Sequence, residues 1–349
     1  MTVLALNTAR TANGVSELHG QVSRKMWQAK YDVPVDEVPI GHITNGTHLL
    51  GWMSRPARDF WQPRLGNGPK FFERINDAEF WSQVENPDFI SDEELWALRY
   101  RLRRELIDFA RGRLIDETPN REGSFIQYDH LLDADTLTIG FARRFATYKR
   151  APLIFDQFEK VVKLARDAER PVQFIFAGKA HPADEKGKQF IQKIVHLSKH
   201  SELRGHLVFI ENYDIQIGRM MVSGCDVWLN NPRRPLEASG TSGMKTAAHG
   251  GLNCSIMDGW WREAFDGTNG FAVGDDSHPE NVEEQDRVDS ENLFQTLAEK
   301  VIPEFYERDA SGLPRQWIQK MRRAMTTITP QFNTWRMVQD YARQYYEER

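Results

Sequence analysis

The sequence lacks several features that mark particular classes of protein. It has only two cysteines, Cys225 and Cys254, both in apolar-leaning runs, so we expect buried thiols rather than a disulfide framework. No apolar run is long enough to span a bilayer. A net charge of -5 and a pI near 6.1 argue against a generic nucleic-acid binder. The first residues lack a basic segment, so we expect no signal peptide and a cytoplasmic protein.

Several catalytic signatures are missing as well. No Walker A run and no His-Glu-x-x-His motif occurs, and the ten histidines are scattered, so we expect no metal site. No pair of carboxylates stands out as the acid and nucleophile of a glycosidase. There is no internal repeat and no low-complexity tract.

The remaining pattern predicts helices first and a wound sheet later. The first third of the chain is helical and irregular, with a helix over Val15–Lys30 and a capping box, Ser91 to Glu94, that opens a long helix. From about residue 135, short apolar runs alternate with helical segments. We predict strands at Leu137–Ala142, Val172–Ala177, Leu207–Ile210, Asp226–Leu229 and Leu252–Ile256, and helices near Ala151–Ala165, Lys186–Ser198, Ile215–Ser223, Ser242–His249 and, in two or more pieces, Trp317–Arg349.

This alternation is typical of an α/β fold with a Rossmann-like, doubly wound parallel sheet. Ligands of such sheets bind outside the carboxyl ends of the strands. Four polar motifs follow predicted strands, and we expect them to converge on one site: Arg143–Lys149, Gly178–Lys179, Asn212–Tyr213 and Glu237–Lys245.

The run Glu237-Ala-Ser-Gly-Thr-Ser-Gly-Met-Lys245 is the most informative of the four. Its small and hydroxylated residues can leave backbone N–H groups free for an anion, and a helix beginning there would add its positive end. Lys245 could bind a phosphate, or bond covalently to a cofactor whose phosphate sits in the turn. The Ser242-x-x-Lys245 spacing also occurs in serine acyl-enzymes, but their companion motifs are absent and the sheet is the wrong setting.

A second motif, Arg143-Arg-Phe-Ala-Thr-Tyr-Lys-Arg150, places four cations and a tyrosine at the end of the first predicted strand. Several cations at a strand's carboxyl end suit a phosphate-rich site. The alternative is a basic surface patch paired with nearby carboxylates.

Together these residues resemble the α-glucan phosphorylases, the family of glycogen, starch and maltodextrin phosphorylases. Glu237–Lys245 is similar to that family's pyridoxal-phosphate signature, and Met257-Asp-Gly259 follows at the expected distance. The resemblance runs over nearly the whole chain. Further segments match in the expected order: Asn13–Val15 with His19, Thr44–Gly46 with Trp52, Arg143–Arg150, Ala177–Ala180 and Phe209–Tyr213.

The resemblance implies a role for each matching residue. Lys245 would hold pyridoxal 5'-phosphate covalently and, with Arg144 and Lys149, would be catalytic. The phosphate group of this cofactor would be held by Arg143, Tyr213, Thr241 and Ser242, with Trp52 beside the cofactor ring. Arg144 and Lys149 would bind the substrate phosphate. The glucosyl unit would be contacted by Asn45, Tyr148, Glu237, Ser239 and Gly240.

The implied reaction is phosphorolysis of an α-1,4-glucan or maltodextrin by inorganic phosphate, which gives α-D-glucose 1-phosphate with retained configuration. In that scheme the cofactor's phosphate relays a proton, because its second pKa lies near 6. The cations Arg144 and Lys149 would stabilise phosphate against the oxocarbenium-like sugar. Glu237 would accept a hydrogen bond from a sugar hydroxyl.

The resemblance covers only the C-terminal half of the family's pattern, the C-terminal lobe of a two-lobed glycosyltransferase fold (GT-B). It implies a mostly helical segment at 1–130 leading out of an N-terminal lobe outside this chain, a Rossmann-like cofactor-binding lobe at 131–320, and crossover helices at 321–349. We expect this half to carry one wall of the site and to be inactive alone. Without their seat on that lobe, four residues of the last helix should be exposed or pack elsewhere: Met337, Val338, Tyr341 and Tyr345.

Two alternatives remain open from the residues. One is a nucleotide-sugar glycosyltransferase of the same two-lobed fold, similar to a glycogen synthase, which has no covalent cofactor. The other is a truncated module without catalysis. Lys245 discriminates between the first alternative and a phosphorylase. The sequence is compatible with a homo-oligomer and does not define chain-length preference or effectors.

Overall fold

The computed structural model describes residues 1–66, 68–116, 131–275, 279 and 281–347. The predicted boundary at residue 130 and the last two residues of the chain lie outside the described residues. The strands are β1 Ala12–Gly14, β2 Ile40–His42, β3 Leu137–Ala142, β4 Val172–Ala177, β5 Leu207–Ile210, β6 Val227–Asn230, β7 Leu252–Ile256 and β8 Gly270–Val273.

Helices occupy both the first third of the chain and the connections between the strands. They are α1 Thr2–Thr8, α2 Glu17–Tyr31, α3 Leu49–Trp52, α4 Arg55–Leu65, α5 Pro69–Arg74, α6 Ala78–Ser82, α7 Asp92–Asp116, α8 Phe158–Ala165, α9 Glu185–Ser198, α10 Ile215–Gly224, α11 Trp261–Ala264, α12 Val282–Thr296, α13 Ile302–Tyr306, α14 Arg315–Gln331 and α15 Thr334–Tyr341. No described helix has both the length and the apolar character needed to cross a membrane.

Six strands form one parallel sheet in the order β5-β4-β3-β6-β7-β8. Every residue of β3, β4, β5, β6 and β7 is buried, as expected for a parallel sheet covered on both faces. This is the doubly wound order, and it confirms the predicted α/β class. The strand order reverses between β3 and β6, which is where such sheets bind ligands.

The predicted strands agree with the structure, β6 being shifted by one residue. The prediction missed β8, a four-residue edge strand that begins at Gly270 and carries only three side chains to signal it. It also missed the small parallel sheet of β1 and β2 in the first third of the chain. Three-residue strands are too short to show a period-two pattern.

Two predicted helices were partly wrong. In place of a helix over Ser242–His249, the chain makes two 3-10 turns, Gly243–Lys245 and Ala247–His249. The chain lies directly on β7 here: a Cβ on Gly243 would come within 2.4 Å of Asn253 Oδ1. The segment then ends at Gly250, whose φ of 74° is left-handed. The helix predicted from Ala151 starts instead as a 3-10 turn at Leu153–Gln157 and becomes α8.

The capping box at the start of α7 is confirmed. The Ser91 hydroxyl accepts from the amide of Glu94, and the Glu94 carboxylate accepts from the amide of Ser91. Helix α7 packs tightly against α10, where a Cβ on Gly224 would lie 2.2 Å from Leu106 Cβ. The first third of the chain is therefore anchored on the sheet domain.

The last helices return to the first third of the chain. Asn13 Nδ2 donates to Tyr341 Oη at 3.0 Å, and Tyr345 Oη lies so near Gly41 that a Cβ there would be 2.4 Å away. Of the residues expected to be exposed or to pack elsewhere, Val338 is exposed, whereas Met337, Tyr341 and Tyr345 are partly buried. The two tyrosines thus find partners within this chain.

Candidate functional site

The four predicted motifs follow the carboxyl ends of β3, β4, β5 and β6. Gly178–Lys179, after β4, meets the loop after β3, where the Phe145 amide donates to Lys179 O at 2.9 Å. Arg143 follows β3 directly, and the segment from Asn231 to Lys245 follows β6. The Asn212–Tyr213 pair follows β5. The candidate site therefore lies at the switch point of the sheet and is built from loops that buried strands position.

Lys245 lies against an aromatic face. Its Nζ is 3.6 Å from the centroid of the Trp52 ring, which comes from α3. Burial, together with the positive charge of Arg143, lowers the pKa of the Lys245 amine to about 8. A lysine with a lowered pKa has a larger neutral fraction near pH 7 and is a better nucleophile toward a carbonyl carbon.

Two buried cations share one carboxylate beside this lysine. Glu237 Oε2 accepts from Arg143 Nη1 at 3.0 Å and from Lys149 Nζ at 3.0 Å. All three side chains are at most 11% exposed. Burial opposes ionisation of Glu237, but the two cations outweigh it and lower its pKa. Burial and the Arg143 charge lower the pKa of Lys149 to about 8, so it remains charged at neutral pH.

The cluster extends to Arg144 and Tyr148. Arg144 is exposed, unlike its two cationic neighbours, and it hydrogen-bonds Tyr148. Burial and the charge of Glu237 raise the pKa of the Tyr148 hydroxyl. Arg144 is thus the cation of this motif with a guanidinium accessible from solvent.

Tyr213 joins the site from the end of β5. Its hydroxyl and the Trp52 ring approach the backbone of α10 so closely that a Cβ on Gly218 would lie 2.8 Å from Tyr213 Oη and 3.6 Å from Trp52 Cζ3. Burial and the nearby Asp214 raise the pKa of Tyr213, so it keeps its proton and can donate. Glycine at 218 therefore permits the approach of the two aromatic residues.

Ser242 ties the turn to the strand ends. Its hydroxyl accepts from Arg143 Nη2 at 3.0 Å and from Trp228 Nε1 at 3.1 Å. The three-residue 3-10 turn that follows is too short to supply the positive helix end expected from the sequence. The candidate donors for an anion at this turn are therefore side chains, the Arg143 guanidinium beside Ser242 and the hydroxyl of the half-buried Thr241.

The Glu237 end of the turn is hydrogen-bonded to the segment that follows β7. Asp258 accepts from the amides of Glu237 and Gly259 at 3.0 and 2.8 Å. Gly259 has φ of 54°, and a Cβ there would lie 2.4 Å from the carbonyl oxygen of Ser239. Gly240, with φ of 83°, closes the turn. Burial raises the pKa of Asp258 to about 6.

Asn45 lies in the first third of the chain, beside residues that contact the turn. Its amide donates to Val15 O at 3.0 Å, and the neighbouring Ser16 hydroxyl donates to Ala238 O at 2.7 Å. The side chain of Asn45 is half-buried. These contacts place Asn45 in the layer that covers the turn, and within the described residues none of them joins its side chain to the charged cluster.

Arg150 departs from the expectation of a phosphate-binding motif. It bonds the carboxylates of Asp286 and Asp289 on α12 at 2.8 and 2.7 Å. Its remaining donors go to the carbonyl oxygens of Asn231 and Pro232. Three of the four cations of the motif, Arg143, Lys149 and Arg150, are therefore paired with carboxylates, as in the alternative, but all three are buried rather than on the surface. Arg150 fixes the loop after β6 to α12.

Sequence reasoning did not single out His249 or the side chain of Asp258. His249 is buried, and both of its ring nitrogens are hydrogen-bonded, one of them to the carbonyl oxygen of Lys245. Its only sequence signal is a position four residues after Lys245, which is uninformative without the turn geometry.

The residues present fit pyridoxal phosphate. Lys245 offers an amine of lowered pKa beside the flat face of Trp52. Arg143 keeps a buried Nε that has no hydrogen-bond partner within the described part of the chain, next to the Ser242 hydroxyl. Tyr213 brings a further donor. These residues supply a lysine amine for a covalent bond, a flat face beside it and donors for a phosphate group.

Comparisons with known proteins agree with this arrangement. The family model described as carbohydrate phosphorylase matches residues 1–348. The maltodextrin phosphorylase of Thermococcus litoralis is 41% identical over 349 residues, which are all of this chain and 41% of that protein. The glycogen phosphorylase of Aquifex aeolicus is 43% identical, over 99% of this chain and 49% of that protein. The glycogen phosphorylase of Mycobacterium tuberculosis is 40% identical, over 99% of this chain and 40% of that protein. The chain spans less than half the length of these relatives, corresponding to their C-terminal part.

Proposed function

The chain belongs to the carbohydrate phosphorylase family, and from that premise we propose that it is the cofactor-binding half of an α-1,4-glucan phosphorylase. The reaction would convert α-1,4-glucan and inorganic phosphate to α-D-glucose 1-phosphate with retained configuration. The observation that carries this proposal is Lys245, a lysine of lowered pKa on the Trp52 face, beside the cluster of Arg143, Lys149 and Glu237.

The proposed roles follow from position. Lys245 holds pyridoxal phosphate, and Trp52 packs beside its ring. Arg143, Tyr213, Thr241 and Ser242 surround the phosphate group of the cofactor. When bound, that cofactor supplies a phosphate monoester whose second pKa near 6 allows proton exchange at neutral pH.

Arg144 and Lys149 bind inorganic phosphate in this proposal. Arg144 supplies the solvent-accessible guanidinium, and Lys149 a buried ammonium that is charged at neutral pH. Their charges stabilise phosphate as the bond between the anomeric carbon and the glycosidic oxygen breaks and the bond from that carbon to phosphate forms. The departing oxygen takes its proton from inorganic phosphate, so no glycosidase-type carboxylate pair is needed.

The sugar side of the site falls to Asn45, Tyr148, Glu237, Ser239 and Gly240. Glu237 is ionised between two cations and can accept a hydrogen bond from a hydroxyl. Ser239 Oγ is buried, with no hydrogen-bond partner in the described part of the chain, and so can serve a ligand. Arg150, by contrast, positions the loop and does not contact substrate.

Because this chain covers under half of its relatives, we infer that a second lobe completes the site. Ligand sites commonly lie between domains. Of the two sequence alternatives, the family match supports no nucleotide-sugar glycosyltransferase. A module that binds the cofactor without catalysis alone remains an outcome of the test.

Cofactor binding is tested first. The chain is mixed with pyridoxal phosphate, the absorbance of the bound cofactor is recorded, and the adduct is trapped with borohydride and located by peptide mass spectrometry. We expect one adduct, on Lys245. Lys245→Ala should abolish it, whereas Lys193→Ala, an exposed lysine paired with Asp156, should leave it unchanged. An adduct distributed over surface lysines would refute the proposal.

Activity is tested second, as release of glucose 1-phosphate from maltodextrin and inorganic phosphate. The chain is assayed alone and with the N-terminal half of a homologous phosphorylase. We expect activity only in the combined sample. Cofactor bound at Lys245 with no product in either sample would leave a binding module and refute the catalytic proposal.

A further inference from the structure

His249 lies outside the proposed catalytic residues, yet it contacts the cofactor lysine directly. It ends the 3-10 turn that follows Lys245, and only 1% of it is exposed. One ring nitrogen, Nδ1, is 2.9 Å from the carbonyl oxygen of Lys245. The other, Nε2, is 3.1 Å from the backbone nitrogen of Ser54. The imidazole thus bridges the turn and the start of α4.

The two partners determine the form of the ring. The Ser54 amide can only donate, so Nε2 must be an unprotonated acceptor. The Lys245 carbonyl oxygen can only accept, so Nδ1 must carry the proton. A doubly protonated ring would lose the Ser54 bond. Burial lowers the pKa of His249 to about 4, which keeps the ring neutral throughout the physiological range.

The bridge joins the backbone of Lys245 to the segment that carries Trp52. Ser54 caps the first turn of α4 and lies two residues after Trp52. Lys245 supplies the amine, 3.6 Å from the Trp52 ring. The carbonyl oxygen of His249 is itself held by Arg99 Nη1 at 3.0 Å, so the bridge is anchored on α7.

We propose that His249 is a positioning residue, whose neutral Nδ1–H form holds the main chain of Lys245 at a fixed distance from Trp52. This inference rests on the proposed use of Lys245 as the cofactor lysine. Without the bridge, Lys245 should move relative to the Trp52 ring and become more hydrated. Its amine would then be a poorer nucleophile at neutral pH and would capture the cofactor less tightly.

The test compares His249→Ala, His249→Asn and a control. Asparagine can still donate an amide N–H toward the Lys245 carbonyl, so it should restore part of the effect. The control is Trp61→Phe, which removes a different hydrogen bond between the same two segments, from Trp61 Nε1 to Ala248 O at 3.1 Å. It weakens the docking of α4 without touching Lys245.

Two readouts are measured on each full-length variant. The first is reductive methylation of Lys245 with formaldehyde across pH, without cofactor, quantified by peptide mass spectrometry. The wild-type midpoint should lie near pH 8 and should shift upward by about one unit or more in His249→Ala, toward an ordinary lysine. The second is the dissociation constant for pyridoxal phosphate, which should rise about tenfold. Trp61→Phe should change neither.

The outcomes separate this inference from the proposed function. If the wild type takes up no cofactor, the proposed function fails, but the methylation profile still tests His249. An unchanged midpoint in His249→Ala, or an equal shift in Trp61→Phe, would overturn the positioning role. A shift in His249→Ala that His249→Asn partly reverses would support it, since a general loss of stability would affect the destabilised control equally.

Discussion

Two buried clusters in this molecule have the same composition of charge but lie at opposite ends of the same sheet. At the carboxyl ends of the strands, Glu237 is paired with Arg143 and Lys149. At the amino ends, Asp226 is paired with Arg99 and Arg103. Each has one carboxylate between two cations. Their difference lies in what else the charged groups contact.

We call the Asp226 cluster at the amino ends the lower cluster and the Glu237 cluster at the carboxyl ends the upper cluster. The fold encloses the lower cluster. Asp226 also accepts from the amide of Thr138, Arg99 donates to the carbonyl oxygen of His249, and Arg103 donates to that of Ala134. All three charged residues are at most 1% exposed. The upper cluster has the exposed Arg144 and the Lys245 amine as neighbours. A buried ion pair alone therefore does not indicate a functional site; access and position at the strand ends do.

The comparison is tested most severely by removing each central carboxylate. Asp226→Asn should lower the free energy of unfolding by about 3–5 kcal/mol, because two buried arginines lose their counter-ion and cannot reach water. Glu237→Gln should lower it by about 1–2 kcal/mol, because Lys149 can release its proton and Arg143 keeps its hydrogen bond to the Ser242 hydroxyl. Chemical denaturation of both variants measures this. Equal losses would contradict the distinction between a structural and a ligand-facing cluster.

The two lysines of the upper site should contribute to the pH dependence of stability. Lys149 and Lys245 have folded-state pKa values near 8, below the usual 10.5. At these two lysines the unfolded chain binds more protons between about pH 8 and 10.5, so each should contribute a free energy of unfolding that rises with pH, by about 2 kcal/mol. The buried thiols of Cys225 and Cys254 contribute in the opposite direction over the upper part of this range, because burial raises their pKa.

Lys149→Met and Lys245→Met should each remove part of that slope, as measured by denaturant unfolding at several pH values. Lys193→Met, an exposed lysine, serves as the control. The affinity for inorganic phosphate should move in the opposite direction and fall above pH 8, because Lys149 loses its charge. A slope that persists in both variants would place its origin elsewhere.

Arg144 tests whether the solvent-exposed cation beside the upper cluster binds phosphate. Arg144→Ala should weaken binding of inorganic phosphate about tenfold, because a charge-assisted contact is lost, with a change in stability within about 0.5 kcal/mol. Arg101→Ala, an exposed arginine paired with Glu105 on α7, is the matched control and should leave phosphate binding unchanged. Titration calorimetry measures both. If the two variants bind phosphate equally, Arg144 has no role in binding.

The sheet and the position of the motifs at its carboxyl edge could be predicted because their signals are local. The strands from Leu137 to Ile256 are short apolar runs, and the Arg143 and Glu237–Lys245 motifs stand directly after strands. The topology rule then brings these motifs together without knowledge of any contact.

Pairings across the fold could not be predicted. Lys149 pairs with Glu237, whereas its neighbour Arg150 pairs with Asp289. The two side chains diverge because the backbone turns at Arg150, which takes a left-handed φ of 46°. The 3-10 turn at Lys245 could not be predicted either, because a regular helix is excluded by contacts with β7 and not by the composition of the segment. His249 is informative only once those turns are known.

Ser242 gives the smallest expected effect on ligand affinity and links stability to binding within the upper site. Ser242→Ala removes the acceptor of Arg143 Nη2 and of Trp228 Nε1, which should lower the free energy of unfolding by about 1 kcal/mol. The affinity for pyridoxal phosphate should fall about fivefold, because the Arg143 guanidinium is no longer oriented. Thr138→Val, at the lower cluster, removes a hydroxyl that also accepts one hydrogen bond, from Gln173 Nε2 at 2.7 Å. It should lower stability at least as much and leave cofactor affinity unchanged, since the lower cluster holds the sheet together and the upper one faces the ligand.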